Sequence, residues 1–283
     1  MENRPPPATV QLRPLPLMEK RVVGGPVPER VLAAYFGVAL LAWIGAGIAV
    51  VRAAPDLARA APFSGRVILA AHLVALGVLP FAVAGASFHL LPVMLRRDLP
   101  SPRALWLALL LLVGGPAVAF GLSNASRTTT WAGAALVACG LAVVVVELGW
   151  IVLRAPHDRT LIASRLGVTL SLAHAALALC LGAFVFDRPV HDFGRRVVAH
   201  LHLALVGWIA LLVLTVGRNL APMLAQAPAA PRRRLPVDEV VLVAGLWILV
   251  AGILDGSRLV TLVGGAVVVA TIARFGTLLV RTY

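Results

Sequence analysis

The chain has 283 residues, of which 60% are hydrophobic and 13% charged, and its mean hydropathy is +0.94. Apolar residues gathered into long runs at this density exclude a soluble globular domain and indicate a polytopic membrane protein. The formal charge of +13 does not point to nucleic acid, because 24 of the 25 basic residues are arginines and most flank apolar segments, where they serve topology and contact with anionic lipid headgroups.

Residues 1–28 contain seven prolines, scattered charges and no apolar stretch of signal-peptide length, and are expected to form a flexible or polyproline-like tail. Eight apolar runs follow, at about 31–52, 67–95, 104–123, 130–153, 161–186, 196–224, 238–254 and 259–280. Only helices suit runs of this length in lipid, since each backbone N–H and C=O must be satisfied within its own segment. The expected architecture is therefore all-α, with eight transmembrane helices in two tandem four-helix units, 29–155 and 156–283. Cys139 and Cys180 fall inside predicted spans and are read as buried small apolar residues. Trp131 and Trp150, near opposite ends of the fourth span, suit interfacial belts.

Counting arginine and lysine by side gives 17 on the face that carries both termini and 8 on the other. By the positive-inside rule both termini are cytoplasmic and the protein is multi-pass in the inner (plasma) membrane.

Two stretches resemble one another without a gap: 66–95, RVILAAHLVALGVLPFAVAGASFHLLPVML, and 195–224, RRVVAHLHLALVGWIALLVLTVGRNLAPML. Aligning His72 with His202 places Leu90 on Leu220, Pro92 on Pro222 and His89 on Asn219. His72 follows Arg66 by six residues and His202 follows Arg196 by six, so each imidazole is expected about 9 Å below an arginine at its helix start. Histidines at matched depth on like-oriented helices could ligate one metal centre from its two faces. His200 is two residues from His202, roughly 200° around the same helix, and so addresses a separate site.

Other polar residues within the spans are candidates for the same reason: such groups are costly in hydrocarbon. His174, in SLAHAALALC, is expected near mid-membrane as a distal ligand or proton-relay member. His89, in FHLLP, could ligate a deeper centre or bond a carbonyl freed by Pro92. Glu147, in VVVVELGW, reads as the only carboxylate well inside a span and is a candidate for a proton path or quinone site. His157 and His191 fall in loops. The plainer reading of the span histidines is polar glue between helices.

The run Val198-Ala199-His200-Leu201-His202 resembles the H-x-H helix of the catalytic subunits of heme-copper oxidases and nitric oxide reductases. The resemblance implies that His202 and His72 hold a low-spin heme and that His200 is the proximal ligand of a high-spin heme. It covers mainly two helices and departs from the family elsewhere, since the family has about twelve helices. A copper site of that family needs an adjacent His-His pair and a tyrosine near a histidine; this chain has no His-His pair, and its only tyrosines are Tyr35 and Tyr283. Copper is therefore not expected. The absence of C-x-x-C-H makes any heme a noncovalent b-type one.

Neutral imidazole is a good iron ligand, and apolar surroundings suit a macrocycle. Arg66, Arg195 and Arg196 are placed to meet heme propionates through charge-assisted hydrogen bonds. Gly45, Gly47, Gly77 and Gly207 could let a flat ring approach. The functional expectation is a heme b-binding redox or gas-ligand protein, with membrane lipids around it, a quinol or cytochrome as electron donor, and other membrane subunits as partners. The alternative is a non-redox permease or structural subunit with a histidine-lined polar pathway. Topology is directly testable: alkaline phosphatase fused after Arg188 should be active, and the same reporter fused at the C-terminus inactive. The reverse pattern would overturn the assigned orientation.

Overall fold

The computed structural model describes residues 27–95, 97–99, 101–155, 162–187, 192–224 and 236–282. Among them, eight helices are long and apolar enough to cross a membrane: Glu29–Ala58, Gly65–Leu95, Pro102–Ser123, Arg127–Arg154, Ser164–Val185, Phe193–Arg218, Val237–Asp255 and Arg258–Leu278. These are spans one to eight. The described residues contain no strand, and the protein is an all-α polytopic membrane protein. Span one begins and span eight ends on the same side of the bundle, here the terminal face; the opposite side is the far face.

Span one continues to Ala58, past the boundary near 52 that hydropathy suggests. Side chains hold the extra turns: Arg59 donates from Nε to the Pro55 carbonyl at 3.0 Å and pairs with Asp56 at 2.7 Å. Span three is two helical pieces, Pro102–Leu112 and Gly114–Ser123, meeting at Val113. Pro116 lies in the first turn of the second piece, where a missing N–H costs nothing. The adjoining glycines permit close approach: a Cβ on Gly114 would lie 2.5 Å from the Gly133 carbonyl oxygen of span four.

Spans two and six share an unusual feature. Each starts as an α-helix, at Gly65–His72 and Phe193–His202, and passes at the next residue into a π-helix, Leu73–Val78 and Leu203–Ala210, before resuming as Leu79–Leu95 and Leu211–Leu224. Both switches fall immediately after the histidines that sequence similarity aligns. Each π-segment packs on the preceding span, the first on span one and the second on span five. Gly77 and Gly207, equivalent in that alignment, make the contact, Gly77 against Ala42 and Gly207 against His174.

Toward the terminal face the core is large and aromatic. Tyr35, Phe81, Phe88, Leu91, Leu105, Leu148 and Ile151 are fully buried there together, joined by Val168, Leu172 and Leu212 of spans five and six. The Tyr35 hydroxyl donates to the Leu105 carbonyl at 2.7 Å, so the phenol brings no unsatisfied polar group into the core. In the part of spans one to three nearer the far face the core is built of small residues, with Ala46, Ala49, Ala70, Leu73 and Ala119 packed together. A third cluster joins spans five to eight through Ala199, Leu203, Leu242, Leu246 and Val268. Cys139 and Cys180 are exposed on the helix surfaces, not buried as expected, because the inward positions of their spans belong to neighbours such as Val137, Gly140 and Ala178.

A buried ionic cluster ties spans six, seven and eight together near the terminal face. Arg218 pairs with Asp238 at 2.7 Å and Glu239 at 3.2 Å, and Arg274 lies 3.4 Å from Asp238. Glu239 is only 2% exposed. Removing one partner of such a group strands the other, which typically costs about 3–5 kcal/mol. Arg218→Ala should therefore lower the unfolding temperature in detergent markedly, and adding Glu239→Gln should recover part of the loss. An unchanged melting curve for Arg218→Ala would show that the cluster does not support the fold.

Candidate functional site

A polar group inside the bundle must find a partner there, and His72, His174, His200 and His202 all do so through the same ring atom. Nδ1 of His72 lies 2.9 Å from the Ile68 carbonyl, that of His174 2.7 Å from Leu170, and that of His202 2.8 Å from Val198, each one turn back on its own helix. Nδ1 of His200 lies 2.8 Å from the Ala178 carbonyl of span five. A carbonyl can only accept, so Nδ1 carries the proton in all four rings and Nε2 presents a lone pair. This is the arrangement in which a backbone acceptor fixes the tautomer of a metal-ligating imidazole.

Span six places its two histidines on different sides. Arg196 and His200 face span five: the Arg196 guanidinium sits 5.4 Å from the Phe184 ring centroid, and His200 lies against Gly182, where a Cβ would come within 2.8 Å of its ring. His202 instead shares a stripe with Arg195 and Val198, at spacings of seven and four, and those two line a groove with Gly252 and Ile253 of span seven. The structure thus turns His200 toward span five and puts His202 on the stripe that meets span seven.

Spans two and six pack together toward the terminal face, segment 79–95 against 211–224. Nearer the far face, around His72 and His200, these two spans are not closely packed on each other. An edge-to-face contact between Phe63 and Phe193, with centroids 5.7 Å apart, bridges the chain just before each helix and at its start.

Buried atoms without partners mark the same region. Nε2 of His174 is buried and makes no hydrogen bond, while the ring is held by Gly207 on one side and lies 5.9 Å from Trp247. Nε of Arg196 is buried and unbonded as well. Unsatisfied groups of this kind cost free energy and are expected where a ligand completes the site. Arg66 and Arg195 are engaged elsewhere, Arg66 3.8 Å from Asp56, and Arg195 3.8 Å from Asp192 with its guanidinium laid over Gly256. Of the three arginines considered for propionates, Arg196 is the one directed inward beside a histidine.

Several candidates lie apart from this group. His89 is exposed on span two. Glu147 is buried near the terminal face, where it accepts a hydrogen bond from the Ser101 N–H at 3.3 Å and so stabilises the start of span three. It is not the only buried carboxylate in a span. Glu239 is buried more deeply, and the signal for it was Arg218, an arginine inside a span that requires an acidic partner. Gly77 serves close helix packing and Gly207 seats His174, while Gly45 and Gly47 face open space. His157 and His191 lie outside the described residues. Among the described residues no group of three or more His, Cys, Asp or Glu side chains could hold a bare metal ion.

No known protein family, curated protein or solved structure matches this chain.

The seat of His174 can be tested without any ligand. A Cβ on Gly207 would lie 2.7 Å from His174 Cδ2, so Gly207→Ala should destabilise by about 1–3 kcal/mol through overpacking. The double variant with His174→Ala should relieve it, giving a coupling of at least about 1 kcal/mol in a double-mutant cycle of thermal unfolding. Additive losses would show that the two residues do not share the contact.

Proposed function

We propose that this chain is a heme b-binding membrane protein acting in electron transfer or gas-ligand binding, multi-pass in the inner membrane with both termini in the cytoplasm. The observation that carries the reading is the set of imidazoles on spans two, five and six whose Nδ1 protons are tied to carbonyls, leaving every Nε2 free to ligate. His72 from span two and a histidine of span six are the axial candidates. His200 is favoured by lying beside the buried, unbonded Arg196 Nε, and His202 by its alignment with His72 and by the resemblance of its H-x-H helix.

The residues present fit a heme better than a bare ion. Two imidazoles suffice for a macrocycle that supplies four ligands of its own, and the buried, unbonded Nε of Arg196 suits a propionate. The π-segments support the reading, because such insertions in transmembrane helices concentrate at functional sites. Bound there, a b-type heme would supply one-electron chemistry or a coordination site for a diatomic gas. The chain's own part is to hold the imidazole tautomers, neutralise propionate charge with Arg196 and keep water out with the surrounding Leu, Val and Ala side chains. His174 is placed to offer a lone pair or hold a proton within span five.

A copper-containing binuclear centre does not fit these residues. Tyr35 is committed to the aromatic core near the terminal face, where its hydroxyl is already bonded to Leu105. Electrons from a quinol or a soluble carrier remain part of the proposal.

Membranes carrying the protein should show a reduced-minus-oxidised heme b spectrum. His72→Ala should abolish the low-spin component, and His200→Ala or His202→Ala should identify the partner on span six. A wild-type spectrum free of heme after expression with ample heme supply would reject the proposal in favour of a non-redox role.

A further inference from the structure

A groove lies where span six starts beside the span seven to span eight turn. Its volume is about 490 Å³. Val198, Ile253 and Leu262 form apolar walls, and of the glycines in the lining Gly194 borders open space while Gly252 packs on Thr261 and Gly256 lies under Arg195. Gly256 has φ +79°, the left-handed conformation that ends span seven and turns the chain tightly into span eight. The sharp turn keeps the groove open toward the membrane boundary.

Two arginines stand at its rim. Arg195 lies flat over Gly256, and the Asp192 carboxylate is 3.8 Å away, too far for a hydrogen bond. Arg258 begins span eight and is exposed. The groove therefore joins an apolar trough lying along the helices to a pair of cations at the depth of lipid headgroups. We infer that this groove is a binding site for an anionic phospholipid, with one acyl chain lying against Val198, Ile253 and Leu262 and the phosphate held between Arg195 and Arg258.

Charge complementarity selects this occupant. A neutral acyl chain would use the trough but not the cations, and guanidinium groups bind phosphate in two-pronged charge-assisted hydrogen bonds. Basic pockets between transmembrane helices take anionic headgroups for the same reason. The site is on the side of span six away from His200 and Arg196, the side that also carries His202. It also gives Arg195 a role of its own.

The test compares the full chain in nanodiscs of phosphatidylcholine with nanodiscs containing phosphatidylglycerol, and follows lipid retained on the detergent-extracted protein by native mass spectrometry. Phosphatidylglycerol should be retained selectively and raise the unfolding temperature. Arg195→Gln with Arg258→Gln should weaken that retention roughly tenfold or more. Arg195→Lys with Arg258→Lys, which keeps both charges but loses the two-pronged bonds, should retain more than the double glutamine variant and less than the wild type, and Arg52→Gln, an exposed arginine on span one, should leave it unchanged. Val198→Trp, which fills the trough while keeping both charges, should displace the lipid. Equal retention of the two lipids by the wild type, or retention by the double glutamine variant equal to wild type, would overturn the inference.

Discussion

The absence of water in the bilayer interior is the constraint on which the rest of this structure depends. Each polar atom carried into the bundle has to be answered from within it, at a cost of several kcal/mol if it is not. Serine and threonine side chains meet it locally, as Thr215 does with the Leu211 carbonyl, or across a helix pair, as Ser171 does with the carbonyl of Trp208 in the second π-segment. The charged cluster of Arg218, Asp238, Glu239 and Arg274 meets it collectively, joining three spans.

Against that background the histidines stand out because they meet the requirement with one nitrogen and not the other. A histidine serving only as polar glue would be expected to use both ring nitrogens within the protein. Here Nδ1 is bonded to a carbonyl in all four, and the buried Nε2 of His174 has nothing to bond. The same imbalance appears at Arg196. Donors and lone pairs left over in a low-dielectric interior are what a cofactor with both a metal and acidic side groups would complete.

The π-segments give the arrangement its geometry. An inserted residue rotates everything after it relative to everything before it, so the switch after His72 and after His202 sets the faces of spans two and six independently above and below those points. The Ser171 hydroxyl adds a second hydrogen bond to the Trp208 carbonyl of the second π-segment, which also accepts from the Leu211 N–H. Span five presents a matching face of small and polar residues, with Gly182 under His200, His174 over Gly207 and Gly167 against Thr215. Close approach at these glycines lets two helices share one line of polar contacts.

Much of this could be read from the chain alone. Length, apolarity and the need for internally satisfied backbones determined eight helices and their approximate limits, and the His72 and His202 register picked out the two helices that later show the π-switch. Tertiary structure decided the rest. Periodicity showed that His200 and His202 point to opposite sides but not that His200 meets span five, because that depends on how the spans are arranged around one another. The exposure of Cys139, Cys180 and His89 followed from the same arrangement. The pairing of Arg218 with Glu239 joins residues 21 apart on different helices, and only packing can bring such charges together. A sequence states which polar groups enter the membrane; the bundle determines which of them find partners there and which remain available to a ligand.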